Sequence, residues 1–161
     1  MAVDMFLKIK GIEGEAQDSK HAKEIDVLAW SWGMSQSGTT HTGGGAGGGK
    51  ANFQDLSCTK WVDRSSPALM MHCASGQHIE EATLAVRKAG GKSPLEYIII
   101  TMKNCMITSV STGGSGGEDR LTENISINFN EVEYNYTPQK PDGTGEGKIP
   151  FAWNIAKNEK K

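Results

Sequence analysis

A glycine-rich run that ends in a lysine is the segment of this sequence closest to a known chemical motif. Residues 44–51 read GGAGGGKA, which approaches the phosphate-binding pattern GxxxxGK[ST]. That pattern requires a hydroxyl residue for magnesium, a strand before it and a helix after it. Here Ala51 replaces the hydroxyl residue, a Ser- and Thr-rich stretch precedes the run, and a strand-like stretch follows it. These differences argue against nucleotide binding.

Histidine and cysteine side chains provide little support for a metal site. His72 and Cys73 are adjacent, with Cys58 and His78 nearby, but there is no CxxC or HxxxH pair. With Cys105 the cysteines number three, which does not fit a disulfide framework. We therefore predict reduced, buried thiols, no zinc site and no cofactor.

Acidic and serine side chains do not form a recognisable catalytic set either. Glu131 and Glu133 lie on one face of a predicted strand, opposite its apolar face, which is typical of a solvated surface or an interface. Ser65 and Ser66 are explained as the start of a helix. Without a nucleophile–base pair, the sequence predicts a protein that is not an enzyme.

Length and charge further limit the class of protein that this sequence can belong to. The 161 residues suit one domain, 1–161, with an ordinary 37% of hydrophobic residues. A net charge of −2 is too close to zero for a nucleic-acid-binding face or attraction to an anionic membrane. No apolar run approaches transmembrane length, and the N-terminus lacks the features of a secretory signal peptide. We expect folding in the cytoplasm and no membrane insertion.

Alternating apolar and polar residues predict a mainly β fold. Strands are predicted over 3–9, 24–34, 52–62, around 82–86, and over 95–110, 121–137 and 149–155. One helix is predicted over 66–75, with Ser66 as its cap, Pro67 at the first helical position and Gly76 at its end. A glycine-rich loop, residues 38–50, separates the second and third strands.

Two of these strands have further implications. Along 121–137 the apolar face moves from odd to even positions, which predicts a bulge near Asn130–Glu131 and a bent strand of the kind a barrel requires. Within 24–34 we expect the face with the two indoles to be core, and the other face to be apolar at first and then small and polar. The core face would contain Leu28, Trp30, Trp32 and Met34, and the other face Ile25, Val27, Ala29 and Ser31.

Several long stretches resemble the Hcp (haemolysin-coregulated protein) family of bacterial type VI secretion. They are residues 109–124, SVSTGGSGGEDRLTEN, residues 21–38, HAKEIDVLAWSWGMSQSG, the opening MAVDMFLKI, the run Leu69–Met71, and the pair Trp153–Asn154. The resemblance extends over essentially the whole chain. It implies a small β-barrel of two packed antiparallel sheets, with one short helix alongside and a long extended loop.

The resemblance also implies a function. Family members close into hexameric rings with a wide pore, and the rings stack into a tube inside a contractile sheath. A trimeric spike protein of the VgrG type caps the tube, and contraction drives it out of the cell into a target cell. Effector proteins can travel in the pore. The implied partners are therefore the chain itself, sheath proteins, the spike and effectors, with secretion that uses no cleaved signal peptide.

Two sites follow as hypotheses. We expect the loop 38–50 to contact a neighbouring ring, since its glycines let it follow that surface; its residues include Gly38, Thr39, Thr40, His41, Gly44, Gly47 and Lys50. Ser31 could face the pore or lie at a subunit contact. Two other classes stay open, a monomeric carbohydrate-binding module with exposed aromatic side chains and a hydrolase with a site assembled from distant residues.

Overall fold

The computed structural model describes residues 3–38, 49–88 and 94–161. Within these ranges the chain forms ten strands and one helix. Their bounds are β1 Val3–Ile9, β2 Ile25–Ser31, β3 Met34–Ser35, β4 Asn52–Phe53, β5 Leu56–Trp61, α1 Ser65–Ser75, β6 His78–Lys88, β7 Leu95–Thr112, β8 Thr122–Tyr136, β9 Ile149–Asn154 and β10 Glu159–Lys160.

Six antiparallel strands close into a barrel. The order β8-β5-β2-β1-β6-β7 returns to β8 because β7 also pairs with β8. The barrel fold with one helix is thus confirmed, and its sheet is continuous around the barrel. Strands β3 and β4 form a separate two-stranded sheet, and β9 and β10 extend the main sheet outside the barrel.

Strand β8 is long enough to have two different neighbours on one edge. Its first half, from Thr122 to Ile127, pairs with β5, and its second half, from Glu131 to Tyr136, pairs with β9. Strand β10 pairs only with the last two residues of β9, so Pro150 lies on a free edge, where its missing N–H costs no ladder hydrogen bond.

The predicted phase change in β8 exists, but the predicted bulge at Asn130–Glu131 is wrong. Phe129 and Val132 are both buried, yet the pairing of β8 with β7 continues in register through this region. Strand β7 changes face at the same level, where Asn104 has a φ of 54°. The two strands therefore bend together, and their shift in register lies elsewhere, between Ile107 and Ser109.

Strand β2 corrects a second prediction. Its register against β5 shifts between Val27 and Ala29, which inserts Leu28 as an extra residue and leaves that side chain 39% exposed. Ile25 and Val27 before the shift are buried in the core, while Trp30 after it packs against the core. Simple alternation therefore assigned Leu28 and the two buried residues to the wrong faces.

Helix α1 packs Leu69 into the barrel core and ends at Gly76, as predicted, with a left-handed φ of 67°. It begins one residue before the prediction, so Pro67 is its third residue. Ser66 is not the cap. Asp63 Oδ1 accepts the Ser65 N–H at 2.9 Å, while the Ser66 hydroxyl accepts the Asp63 N–H at 3.0 Å and donates to Glu123.

Candidate functional site

A row of serines crosses four neighbouring strands on the outer face of the barrel. Ser31 on β2 lies opposite Ser57 on β5, Ser57 lies opposite Ser126 on β8, and Ser126 lies opposite Ser109 on β7. Ser109 Oγ donates to Ser126 Oγ at 2.7 Å. Residues directly opposite across antiparallel strands share a face, so the four hydroxyls form one continuous line.

A second row runs beside the serines and is also uncharged. It contains Ala29, Thr59, Asn124 and Ser111. Thr59 Oγ1 donates to Asn124 Oδ1 at 2.7 Å. We call these two rows of eight residues the hydroxyl flank. Its side chains are small and neutral, so it offers hydrogen bonds with neither a strong field nor an apolar surface.

The opposite side of the barrel carries alternating charges. Glu81 on β6 lies opposite Lys103 on β7, and Lys103 lies opposite Glu131 on β8. Lys161 Nζ lies 2.9 Å from Glu131 and, with its hydrogen bond, lowers the pKa of that carboxyl. An exposed pair, Lys10 and Glu80, continues the pattern at 2.5 Å. We call the outer surface of β1, β6, the first half of β7 and the second half of β8 the charged flank.

The segment between β1 and β2 covers part of the charged flank. Phe6 points outward from β1, and the His21 ring stacks on it with centroids 4.4 Å apart. His21 Nδ1 lies 3.0 Å from Glu24, and its Nε2 lies 2.5 Å from Glu96 of β7. Burial alone would lower the pKa of His21, but these two carboxylates outweigh it and raise the pKa above its ordinary value.

A second ion pair fastens the same segment. Arg87 of β6 donates to Asp18 at 2.6 Å and to Asp4 of β1 at 3.1 Å. Its guanidinium also lies 5.1 Å from the Phe6 ring centroid. The Arg87 hydrogen bond holds the pKa of Asp18 well below its usual range. Residues 11–24 are therefore held to the barrel at two points, Asp18 and His21.

Aromatic side chains surround the base of the extended loop. Trp32 lies with its ring centroid 6.3 Å from Phe53 of β4, 6.2 Å from Phe129 and 6.4 Å from Tyr134, both of β8. Phe53 also lies 6.5 Å from Trp153 of β9. We call these five residues the aromatic anchor. Burial against the core is the main reason that the pKa of Tyr134 is raised. The aromatic anchor joins the β3–β4 sheet to the barrel.

The predicted site residues are only partly described. Ser31 is exposed and belongs to the hydroxyl flank. Gly38 and Lys50 are exposed at the two ends of the loop. Thr39, Thr40, His41, Gly44 and Gly47 lie outside the described residues.

The remaining candidate groups occupy structural positions. Lys50 and Ala51 lead into strand β4, so no helix follows the glycine-rich run. Burial raises the pKa of Cys58 to about 12 and that of Cys105 to about 11, which leaves both as unreactive thiols. Across the described parts of the chain, no three His, Cys, Asp or Glu side chains are grouped closely enough to hold a metal ion.

Sequence reasoning missed one buried polar network. Lys60 and Glu123 face each other inside the barrel, and both are almost completely buried. Lys60 is two residues from Cys58, and Glu123 is two residues from Ile125, so each lies on the same face of its strand as an apolar residue. This spacing was the signal in the sequence that could have identified them as buried. Three of the four indoles, those of Trp30, Trp32 and Trp153, are partly buried and pack against the core, which does not favour a carbohydrate-binding surface.

Comparison with known proteins agrees with this architecture. Residues 6–136 match the sequence profile of the family described as "Type VI secretion system effector, Hcp". The chain is 60% identical to Protein hcp1 of Pseudomonas aeruginosa over 159 residues, which is 98% of each chain. A solved type six secretion system protein superimposes with a TM-score of 0.93 at 33% identity, with 99% of this chain and 100% of that chain covered. Hcp1 from Salmonella typhimurium gives 0.81 at 34% identity, with both chains covered in full.

The fold and its two unlike flanks define a small closed β-barrel with distinct outer surfaces. The chain belongs to the Hcp family and is a secreted tube protein of type VI secretion. In the ranges that the structure describes, no helix is both long and apolar enough to span a membrane.

Proposed function

We propose that residues 1–161 act as one domain and that six copies close into a ring through two unlike side surfaces of the barrel, one of which is the charged flank. A ring contact is heterologous, since one patch of each subunit meets a different patch of the next. The charged flank presents alternating Glu81, Lys103 and Glu131, and complementary charges favour one register over others. The alternating charges of the charged flank are the observation that carries this proposal, and the neutral hydroxyl flank stays outside the subunit contact.

In this arrangement the hydroxyl flank lines the pore. Neutral hydroxyls such as Ser31 and Ser57 form hydrogen bonds that water competes for, so each contact is weak. A lumen of this chemistry holds effector proteins without trapping them. The absence of charge within the two rows also keeps the wall from selecting cargo by net charge.

Stacking uses residues 38–50. Ser37 and Gly49 lie close together: a Cβ added to Gly49 would be 2.8 Å from Ser37 Oγ. The loop therefore leaves and re-enters the subunit at one place and can reach a neighbouring ring. Sheath proteins surround the stacked tube, the spike protein caps it, and contraction expels it from the cytoplasm, so export needs no cleaved signal peptide.

The test is imaging of the purified protein in negative stain, together with its mass in solution. We expect annular particles of about six times the 17.3 kDa chain mass, and stacks of rings at high concentration. A variant in which a short Gly-Ser linker replaces residues 38–50 should form rings but no stacks. A sample that stays a single 17.3 kDa particle at high concentration would contradict the ring, and a linker variant that stacks normally would contradict the role of the loop.

A further inference from the structure

The β3–β4 sheet is too small to be stable alone. It contains two residue pairs, Met34 with Phe53 and Ser35 with Asn52. An isolated two-stranded hairpin is marginal in water even when it is longer. Among the residues that the structure describes, it also shares no strand pairing with the barrel sheet. Two residues on each side separate it from the paired strands β2 and β5, so that ladder sets only its starting direction and side-chain contacts must hold it against the barrel.

The aromatic anchor supplies that contact. Phe53 is the one anchor residue on β4, and it bridges Trp32 on one side and Trp153 on the other. Phe129 and Tyr134 of β8 complete the contact from the barrel wall through Trp32. The hairpin thus meets the long strand β8 and its neighbour β9 through rings rather than through backbone hydrogen bonds.

Backbone contacts at the same level transmit this orientation to the loop. The Gln54 N–H donates to the Gly33 carbonyl at 2.9 Å, and Trp32 Nε1 donates to the Gln54 carbonyl at 3.0 Å. Beyond the two strands, Ser37 and Gly49 are in close approach. The two ends of the loop therefore still lie side by side beyond the hairpin.

We propose that Phe53 is a positioning residue for ring stacking, because it holds the β3–β4 hairpin on the β8–β9 surface and so fixes where the chain leaves the subunit at Gly38 and returns at Gly49. This inference rests on the proposed stacking role of that loop. It adds a device that is separable from ring closure, since β3 and β4 are not part of the charged flank through which the ring is proposed to close. A ring therefore forms with the hairpin released, and stacking alone is lost.

The experiment compares full-length Phe53→Ala, Phe53→Leu and Phe53→Tyr with the wild type. The fraction of rings found in stacks is counted in negative stain, ring mass is measured by sedimentation, and the thermal midpoint is recorded for each. We expect Phe53→Ala to keep rings and to lower the stacked fraction about tenfold, as loss of one or two aromatic pairs implies. Phe53→Tyr should stack like the wild type, because it keeps the aromatic side chain, and Phe53→Leu should stack to an intermediate extent.

A matched control separates positioning from general stability. Ile79 is buried on β6, in the barrel core, and Ile79→Val and Ile79→Ala give a graded loss of core packing. The Ile79 variant whose thermal midpoint is closest to that of Phe53→Ala should still stack. Equal loss of stacking in that control, loss of rings in Phe53→Ala, or normal stacking in Phe53→Ala would each overturn the inference.

The linker variant that replaces residues 38–50 distinguishes the two proposals. If it stacks normally, the stacking role of the loop fails, and the inference about Phe53 fails with it. If it does not stack while Phe53→Ala does, the role of the loop stands and only the positioning role of Phe53 is lost.

Discussion

Lys60 of β5 and Glu123 of β8 lie directly opposite each other, and both side chains are fully enclosed in the barrel. Lys60 Nζ donates to Glu123 Oε1 and also to the Trp61 carbonyl, the latter at 2.8 Å. The Ser66 hydroxyl donates to the same Glu123 oxygen at 2.5 Å. The second oxygen of Glu123 is buried and has no hydrogen-bond partner among the described residues. The pair therefore ties the start of α1 to two barrel strands.

Lys60→Met should destabilise the fold strongly. It leaves the Glu123 carboxylate buried without its cation, a change that typically costs about 3–5 kcal/mol. Urea unfolding at one fixed protein concentration measures this loss, since subunit association also contributes to apparent stability.

The double variant Lys60→Met/Glu123→Leu is the control for this prediction. Removing both charges leaves no unpaired ion at position 123, and both variants lose the same contact of Lys60 with Asp63, so the double variant should be more stable than Lys60→Met. A double variant that loses the full sum of the two single changes would show that the two side chains act independently.

The contribution of His21 to stability should depend on pH. Its pKa is raised in the folded state by Glu24 and Glu96, against burial, which lowers it. Protonated His21 therefore stabilises the fold fully below the unfolded value of 6.5, and this contribution is lost as pH rises through the raised pKa. Relative to His21→Gln, the wild type should be more stable by about 1–2 kcal/mol at low pH and should lose this advantage at higher pH.

Unfolding of both proteins from about pH 5 to about pH 9 tests this expectation. The charged groups around the ring are Glu24, Glu96, Asp18 and Arg87, of which Asp18 and Arg87 are ionised across this range. Lys10→Gln is the matched control, since its ion pair with Glu80 is exposed. A difference between wild type and His21→Gln that is constant with pH would contradict the assignment.

Strand positions were predictable from the sequence because alternation of side chains is a local signal. The long strands β7 and β8 stand out by their apolar runs, and the resemblance to the Hcp family gave the barrel. Alternation failed where backbone geometry intervened. One extra residue, Leu28, changed the faces of β2, and the shared bend of β7 and β8 resembled a bulge in β8 when that strand was considered alone.

The surfaces were less predictable, because they depend on register between distant segments. Ser31 could be proposed alone, but its line with Ser57, Ser126 and Ser109 exists only once four strands are aligned. The aromatic anchor likewise joins residues from four separate parts of the chain. Neither has a spacing in sequence that would identify it.

Gly14→Ala should destabilise the segment that carries His21. A Cβ on Gly14 would lie against the Glu24 carbonyl and 2.8 Å from the Ile25 Cα, both backbone atoms that cannot rotate away. We expect a loss of about 1–3 kcal/mol, the usual range for overpacking. Gly113→Ala is the control, because nothing lies within 4 Å of its Cβ position. Equal stability of the two variants in urea would contradict the close approach at Gly14.

Ser31→Cys tests the direction of the hydroxyl flank, in a Cys73→Ala background. Cys58 and Cys105 are buried thiols with raised pKa values, so they should not react in the folded protein. If Ser31 faces a closed lumen, a small soluble maleimide labels the introduced thiol in intact rings, whereas maleimide fixed on beads wider than a ring cannot reach it. The same protein unfolded in urea should bind to the beads, which shows that the reagent is active. Capture of intact rings by the beads would place Ser31 on the outside and exclude the hydroxyl flank as the pore wall.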